Sequence, residues 1–170
     1  MIVTAITNGE FQGMAPRADA AVLRILDPID SRDALEQGWG DTLSQAFWDM
    51  DSSALGVRGR LVVRLWGRHR AWFESLAGRL FGSDIPWRPF IAADAVEITA
   101  FADGLAEKGV RELLVVCRNG RGRSGTVGRW IARRLGAAFH TNGDDRESGH
   151  IRETLDRVGG TVQIAVSAAA

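Results

Sequence analysis

The chain has one cysteine, Cys117, among its 170 residues. A lone cysteine excludes an internal disulfide, and it fits the reducing cytoplasm, where a reactive thiol survives. Long apolar runs are also missing, since no stretch approaches the ~18 apolar residues of a transmembrane helix. The first ten residues lack the basic segment with which a signal peptide begins. We therefore expect a cytoplasmic protein.

An excess of charge of either sign is missing as well. The 21 basic and 21 acidic residues give a formal net charge of zero, so neither nucleic acid nor a membrane is expected as a partner. The segment 30–51 is acidic, but no histidine or cysteine accompanies its carboxylates. We predict no metal site and no cofactor.

The composition is that of a globular protein, with 45% apolar and 25% charged residues. The length suits one domain over residues 1–170, because neither a repeat nor a linker divides the chain. Leu35, Trp39, Leu43 and Phe47 recur as on one helix face, interrupted by Gly38 and Gly40. Elsewhere the patterns predict a first or edge strand at 2–6, an apolar run at 20–26, strands at 60–66, 113–116 and 161–166, and helices at 68–81, 94–108 and 150–158.

The segment Glu112–Gly136 carries the chemistry. Its first part predicts a buried strand, and its last part has apolar residues at helical spacing, with Gly136 as the C-terminal cap. Between them lies a glycine-containing turn with Cys117 and three arginines. A loop running from a strand into a helix N-terminus makes an anion site, because backbone N–H groups point inward and the helix dipole adds partial positive charge.

The spacing within this loop suits a tetrahedral oxyanion. Cys117 and Arg123 bracket five residues, which places a nucleophile at the base and a bidentate guanidinium at the far end. Gly120 and Gly122 permit positive φ angles and close backbone approach. The positive field favours Cys117 as a thiolate, and the Ser124 hydroxyl is placed to donate to its sulfur.

The other loop residues are predicted to bind phosphate: Arg118, Asn119, Gly120, Arg121 and Gly122. Arg118 and Arg121 add charge within the loop. They are either solvated or contact a second phosphate, and the sequence leaves both readings open.

Residues 117–125, Cys-Arg-Asn-Gly-Arg-Gly-Arg-Ser-Gly, resemble the signature loop of the cysteine-dependent protein tyrosine and dual-specificity phosphatases, particularly their small bacterial members. The matching positions are Cys117, Gly120, Arg123 and Ser124. The family usually has a histidine before the cysteine, where this chain has Val116. The resemblance implies an α/β fold, with a central, mostly parallel sheet flanked by helices and the phosphate loop between a central strand and a helix.

The resemblance also implies an aspartate, upstream of the cysteine, that protonates the leaving group. Asp84, Asp94 and Asp103 are the candidates. Asp94, with Glu97 three residues later, forms a predicted capping box, and Asp103 falls within the helix that follows. We therefore predict Asp84 as the acid, with Trp87 beside the substrate.

The predicted function is hydrolysis of phosphate monoesters through a cysteinyl-phosphate intermediate, on a phosphorylated protein or a small phosphate ester. Phosphotyrosine, or dual specificity, is the first expectation, and phosphoinositides or other multiply phosphorylated molecules are the alternative. A further alternative is an inactive phosphate-binding module, because Val116 replaces the usual histidine. The sequence does not define an oligomeric state.

Overall fold

The computed structural model describes residues 1–28, 35, 37–48, 89–142 and 147–168. Five strands lie within these ranges, which are β1 (Ile2–Thr7), β2 (Ala20–Leu26), β3 (Asp41–Ala46), β4 (Glu112–Cys117) and β5 (Ala138–Thr141). Four helices accompany them, which are α1 (Asn8–Gln12), α2 (Ala92–Glu107), α3 (Gly122–Leu135) and α4 (Gly149–Ala168).

The strands form one sheet in the order β3-β2-β4-β1-β5, and every neighbouring pair is parallel. This confirms the predicted α/β class with a parallel central sheet flanked by helices. β4 occupies the centre, between β2 and β1. Because all strands run in one direction, their carboxyl ends meet at a single edge, which is where open α/β sheets place their ligands.

Each face of the sheet carries its own apolar cluster. Alternate residues of β4, among them Val115 and Cys117, join the larger cluster, which also contains residues of α2, α3 and α4. The intervening residues Leu114 and Val116 join the smaller cluster, against which Phe11, Leu35 and Trp39 pack. The β4 side chains are thus buried on both faces, as expected for a central parallel strand.

The prediction of one helix face through Leu35, Trp39, Leu43 and Phe47 is wrong. Residues 41–46 form β3, which pairs with β2 in register from Ala21↔Asp41 to Leu26↔Ala46. The two glycines that interrupted the pattern explain the difference. Gly38 has φ +114°, and a Cβ on Gly40 would lie 2.3 Å from the carbonyl oxygen of Ala18. These positions place a turn, not a helix, before the strand.

The C-terminal part also differs from its prediction. Residues 161–166 were expected to form a strand from their β-branched content, but they continue α4 without a break. A helix already nucleated at Gly149 gains a hydrogen bond with each added residue, which outweighs a weak local strand preference. β5 was not predicted, and β1 lies between β4 and β5, not at an edge.

The remaining predictions divide between confirmed and outside the described residues. α2 begins at Ala92, not at Asp94, and the Asp94 carboxylate accepts the backbone N–H of Ile91 at 3.0 Å. The predicted strand 60–66 and helix 68–81 lie outside the described residues. In the part of the chain that the structure describes, no helix combines the length and apolarity that a membrane crossing requires.

Candidate phosphate-binding and nucleophile site

Cys117 is the last residue of the central strand. Its register partners are Thr7, the last residue of β1, and Ile25 of β2. The thiol therefore lies at the carboxyl edge of the sheet, where strand β4 gives way to the loop 118–121. Only 3% of Cys117 is exposed, so a reaction partner must enter along the loop and not across the apolar cluster beneath it.

The loop is held against the end of β1. Gly120 has φ +64°, and a Cβ there would lie 2.8 Å from Thr7 Cγ2 and 2.9 Å from Thr7 N. Asn119 forms an antiparallel bridge with Thr7. Glycine at 120 is thus required both for its backbone angle and for the close approach, as the sequence predicted.

Two details of the predicted cradle are wrong. The Gly120 N–H donates to the Cys117 carbonyl at 3.3 Å, so it does not face an anion in this arrangement. Gly122 does not adopt a positive φ, because it is already the first residue of α3. The anion donors at this end of the loop are therefore the first N–H groups of α3, which have no carbonyl partner within the helix.

Arg123, in the first turn of α3, is buried and reaches across the sheet edge. Its Nη1 donates to the carbonyls of Leu26 at 3.2 Å and Phe47 at 2.9 Å. Its Nη2 lies 2.6 Å from Asp27 Oδ1. Arginine has five N–H donors, so these contacts with described residues leave Nε–H and one Nη2–H, which form one edge of the guanidinium. That edge has the geometry for two parallel hydrogen bonds to an oxyanion.

Ser124 lies directly against the nucleophile. Its Oγ is 3.1 Å from Cys117 Sγ, and both groups are buried. The hydroxyl is also 3.4 Å from the Arg121 carbonyl. This confirms the predicted contact between the serine hydroxyl and the sulfur, and a donor here stabilises negative charge on sulfur.

Asp27 is the site residue that the sequence reasoning missed. It was interpreted only as part of an Asp-Pro turn after the apolar run 20–26. The structure places it immediately after β2, 1% exposed, with its carboxylate on Arg123 and 3.4 Å from Arg118 Nη1. Its position was a usable signal, because an acidic residue directly after a buried parallel strand must lie at the ligand-binding edge.

The two other loop arginines are exposed, and so is Asn119. The Arg118 side chain is 68% exposed, and its ion pair with Asp27 is long. Arg121 occupies the residue that precedes α3, with φ −116°. Both cations therefore stand at the rim of the loop, while Arg123 lies beneath it.

A cavity of about 320 Å³ opens beside Cys117 at the carboxyl ends of β2 and β4. We call it the β2 cavity. Its described lining consists of Asn8, Arg24, Ile25, Leu26, Val116, Cys117 and Arg118. It receives Val116 and not the apolar cluster of α3, so it lies toward the face of the sheet that carries the smaller cluster.

The three acid candidates separate clearly. Asp84, together with Trp87, lies outside the described residues, so both remain predictions. Asp94 caps the start of α2, as given above. Asp103 is 44% exposed in its side chain and is paired with Arg134 at 2.6 Å, on the part of α2 remote from the loop. Neither of the described candidates faces Cys117.

No group of three or more metal-ligating side chains occurs among the described residues. No family model, no curated protein and no solved structure matches the chain. The functional proposal therefore depends on the geometry of the site and on the loop sequence. Together they bring a buried thiol, a hydroxyl donor, a helix N-terminus and a guanidinium edge to one place.

Proposed function

We propose that the chain is a cysteine-dependent phosphatase that hydrolyses phosphate monoesters, with phosphotyrosine or dual-specificity protein substrates as the first expectation. The observation that carries the proposal is the 3.1 Å contact between Cys117 Sγ and Ser124 Oγ at the N-terminus of α3. A structural cysteine has no need of a serine, an arginine and a helix N-terminus converging on it. The resemblance of residues 117–125 to the phosphatase signature loop adds to this support.

In the first step Cys117 Sγ attacks phosphorus, so that an S–P bond forms as the P–O bond to the leaving group breaks. The equatorial oxygens carry charge that the free edge of Arg123 and the N–H groups of α3 are placed to stabilise. An acid, which we predict to be Asp84, gives its proton to the leaving oxygen.

In the second step water attacks phosphorus and the S–P bond breaks, which releases inorganic phosphate. The conjugate base of the acid takes the proton from water. Sulfur leaves with its electron pair, and the Ser124 hydroxyl donates to it. Such chemistry needs a reduced Cys117, and we place the protein in the cytoplasm for that reason.

The test is hydrolysis of an aryl phosphate by the full chain and by two variants. We expect turnover in the wild type and its loss in both Cys117→Ser and Arg123→Ala, because one removes the nucleophile and the other removes the clamp. Arg133→Gln is the matched control, since Arg133 is an exposed arginine in the last turn of the same helix. Turnover that survives in Cys117→Ser would overturn the assignment of the nucleophile.

A second candidate function is a binding module that holds phosphate without hydrolysing it. The observation in its favour is Val116, which is fully buried in the smaller apolar cluster. The thiol thus has an apolar neighbour where the phosphatases that it resembles have histidine. Vanadate binding without turnover of any aryl phosphate would support this module and contradict the enzyme.

The alternative substrate class is a multiply phosphorylated molecule such as a phosphoinositide. The positions of Arg118 and Arg121 at the loop rim support it, because cations there face whatever extends from the bound phosphate. Comparing hydrolysis of a phosphotyrosine peptide with that of a bisphosphorylated ester distinguishes the two classes.

A further inference from the structure

The β2 cavity has a lining that the hydrolysis step does not use. Residue 24 is the unusual member. Val22 and Arg24 point to the same face of β2 because side chains alternate along a strand, and Val22 belongs to the smaller apolar cluster. In register, Arg24 pairs with the fully buried Val116 of β4. An arginine in the middle of a buried parallel strand is costly unless its charge has a role at the edge of the cluster.

The charge of the cavity is one-sided in its described lining. Arg24 and Arg118 contribute two cations, Asn8 contributes an amide, and the other described lining residues are apolar or Cys117. Arg118 is mostly exposed, and its 3.4 Å ion pair with Asp27 is weak. Its guanidinium can therefore turn toward an anion in the cavity with little loss.

The size of the cavity limits what can enter. At about 320 Å³ it is at the lower end of the ~300–1,000 Å³ range of small-molecule sites. A single compact anionic group fits this volume, and guanidinium groups bind phosphate oxygens in pairs.

The cavity is also adjacent to the nucleophile. Ile25 pairs in register with Cys117, and Arg24 pairs with the residue before it. Cys117 itself contributes to the lining. A group bound in the cavity and a phosphate above Cys117 are thus neighbours, and one small molecule can carry both.

We propose that the β2 cavity is an anion subsite, formed by Arg24, Arg118 and Asn8, that holds a second phosphate of a bisphosphorylated substrate whose first phosphate lies at Cys117. This inference rests on the proposed function, because it names a substrate class for the same active centre. It assigns to Arg24 a role in specificity, which the loop sequence does not indicate.

The experiment measures binding to the Cys117→Ser variant, so that no turnover is needed. The probes are α,ω-alkanediol bisphosphates of increasing chain length, each compared with the monophosphate of the same diol. Two linked groups bind most tightly when the linker matches the distance between their sites. We expect one chain length at which the bisphosphate binds about tenfold or more tightly than its monophosphate.

Substitutions then locate the second phosphate. Arg24→Gln in the same background is expected to reduce the preference to near unity, and Arg24→Lys to restore part of it. Arg133→Gln, an exposed arginine at the far end of α3, should leave it unchanged. Circular dichroism spectra and melting temperatures establish that each variant is folded.

Inorganic phosphate distinguishes a second substrate phosphate from a separate anion. If the cavity binds free phosphate on its own, inorganic phosphate will abolish the preference at every chain length without an optimum, and the proposal is overturned. Bisphosphates that bind no better than monophosphates overturn it too. An unchanged preference in Arg24→Gln has the same consequence.

Failure of the subsite is distinguishable from failure of the phosphatase proposal. Wild-type turnover of an aryl phosphate with no preference for bisphosphates removes only the subsite. A length-dependent preference with no turnover on any ester removes only the hydrolytic step and leaves the anion subsite in place.

Discussion

Asp27 provides the most informative perturbation, because it is a fully buried carboxylate that holds the phosphate clamp. Asp27→Asn keeps the shape of the side chain and removes its charge. Arg123 then remains a buried cation whose described acceptors are the carbonyls of Leu26 and Phe47. The substitution affects the folded protein and the reaction in different directions, and this makes it diagnostic.

The effect on stability follows from burial. Asp27 is 1% exposed, and its ion pair with Arg123 is 2.6 Å long. Removing one partner of a buried pair costs ~3–5 kcal/mol. We expect the lower value, about 3 kcal/mol, because the asparagine oxygen still accepts a hydrogen bond. For a chain of this length the melting temperature should fall by about 6–12 °C.

The effect on the anion has the opposite sign. Asp27 and a bound phosphate would share the Arg123 guanidinium, which places their oxygens about 5 Å apart. At an effective dielectric constant of ~20 two unit charges at that distance repel by about 3 kcal/mol. Asp27→Asn removes this repulsion but also loosens the clamp. We expect inorganic phosphate to inhibit about tenfold more strongly, while kcat falls about 100-fold because the clamp is misplaced.

The assay is steady-state hydrolysis of an aryl phosphate with inorganic phosphate as the competitive inhibitor, normalised to the folded fraction from circular dichroism. Asp103→Asn is the matched control. Asp103 also pairs with an arginine, Arg134, at 2.6 Å, but its side chain is 44% exposed. Exposed pairs contribute ~0–1 kcal/mol, so this control should lose little stability and no activity.

The reasoning about Asp27 is refuted by either of two results. One is a loss of stability in Asp27→Asn no larger than that in Asp103→Asn, which would mean that the buried pair has no special weight. The other is a parallel loss of kcat and phosphate affinity, which is what a purely structural defect produces.

Three further changes test other parts of the site. Gly120→Ala should destabilise the protein by ~2 kcal/mol or more and weaken vanadate binding, since it forces a Cβ to 2.8 Å from Thr7 Cγ2 at φ +64°; Gly104→Ala, in open space within α2, should stabilise it by ~0.5–1 kcal/mol in the same urea titration. Ser124→Ala should slow the release of sulfur, so that a stopped-flow burst of aryl alcohol precedes a slower steady state; a steady state slowed without a burst contradicts that role. Hydrogen bonds from Thr7 and Asn142 hold the pKa of Glu10 below its usual range, so its contribution to stability is complete above the unfolded-state pKa and is lost as pH falls through the folded-state value. The stability difference between wild type and Glu10→Gln should accordingly narrow on acidification, and a constant difference would exclude this cause.

The central unit was predictable because its signals are local. The β4–loop–α3 segment contains a β-branched run, then glycines, then apolar residues at helical spacing. Each part agrees with the fold, as in Gly136, whose φ of +61° closes α3 through hydrogen bonding to Ala132 and Arg133. Where local preference and tertiary structure point the same way, a sequence pattern is sufficient.

β3 and Asp27 were missed because their signals are not local. Residues 41–46 alternate weakly and become a strand only by pairing with β2. Asp27 acquires its meaning from Arg123, which is remote in sequence and adjacent only at the sheet edge. Both depend on strand order, and a single sequence does not determine which of several parallel strands lie next to each other.

That strand order has a chemical consequence. β4 lies between β2 and β1, so its last residue is reached from three sides: by Arg123 from α3, by Asp27 from the end of β2, and by the loop held against Thr7. The alternation of side chains then directs Cys117 to the cluster of α3 and Val116 to the cluster beside the β2 cavity. A substrate with one phosphate uses only the first of these environments. A bisphosphate uses both, and the end of a single central strand is where both can be reached at once.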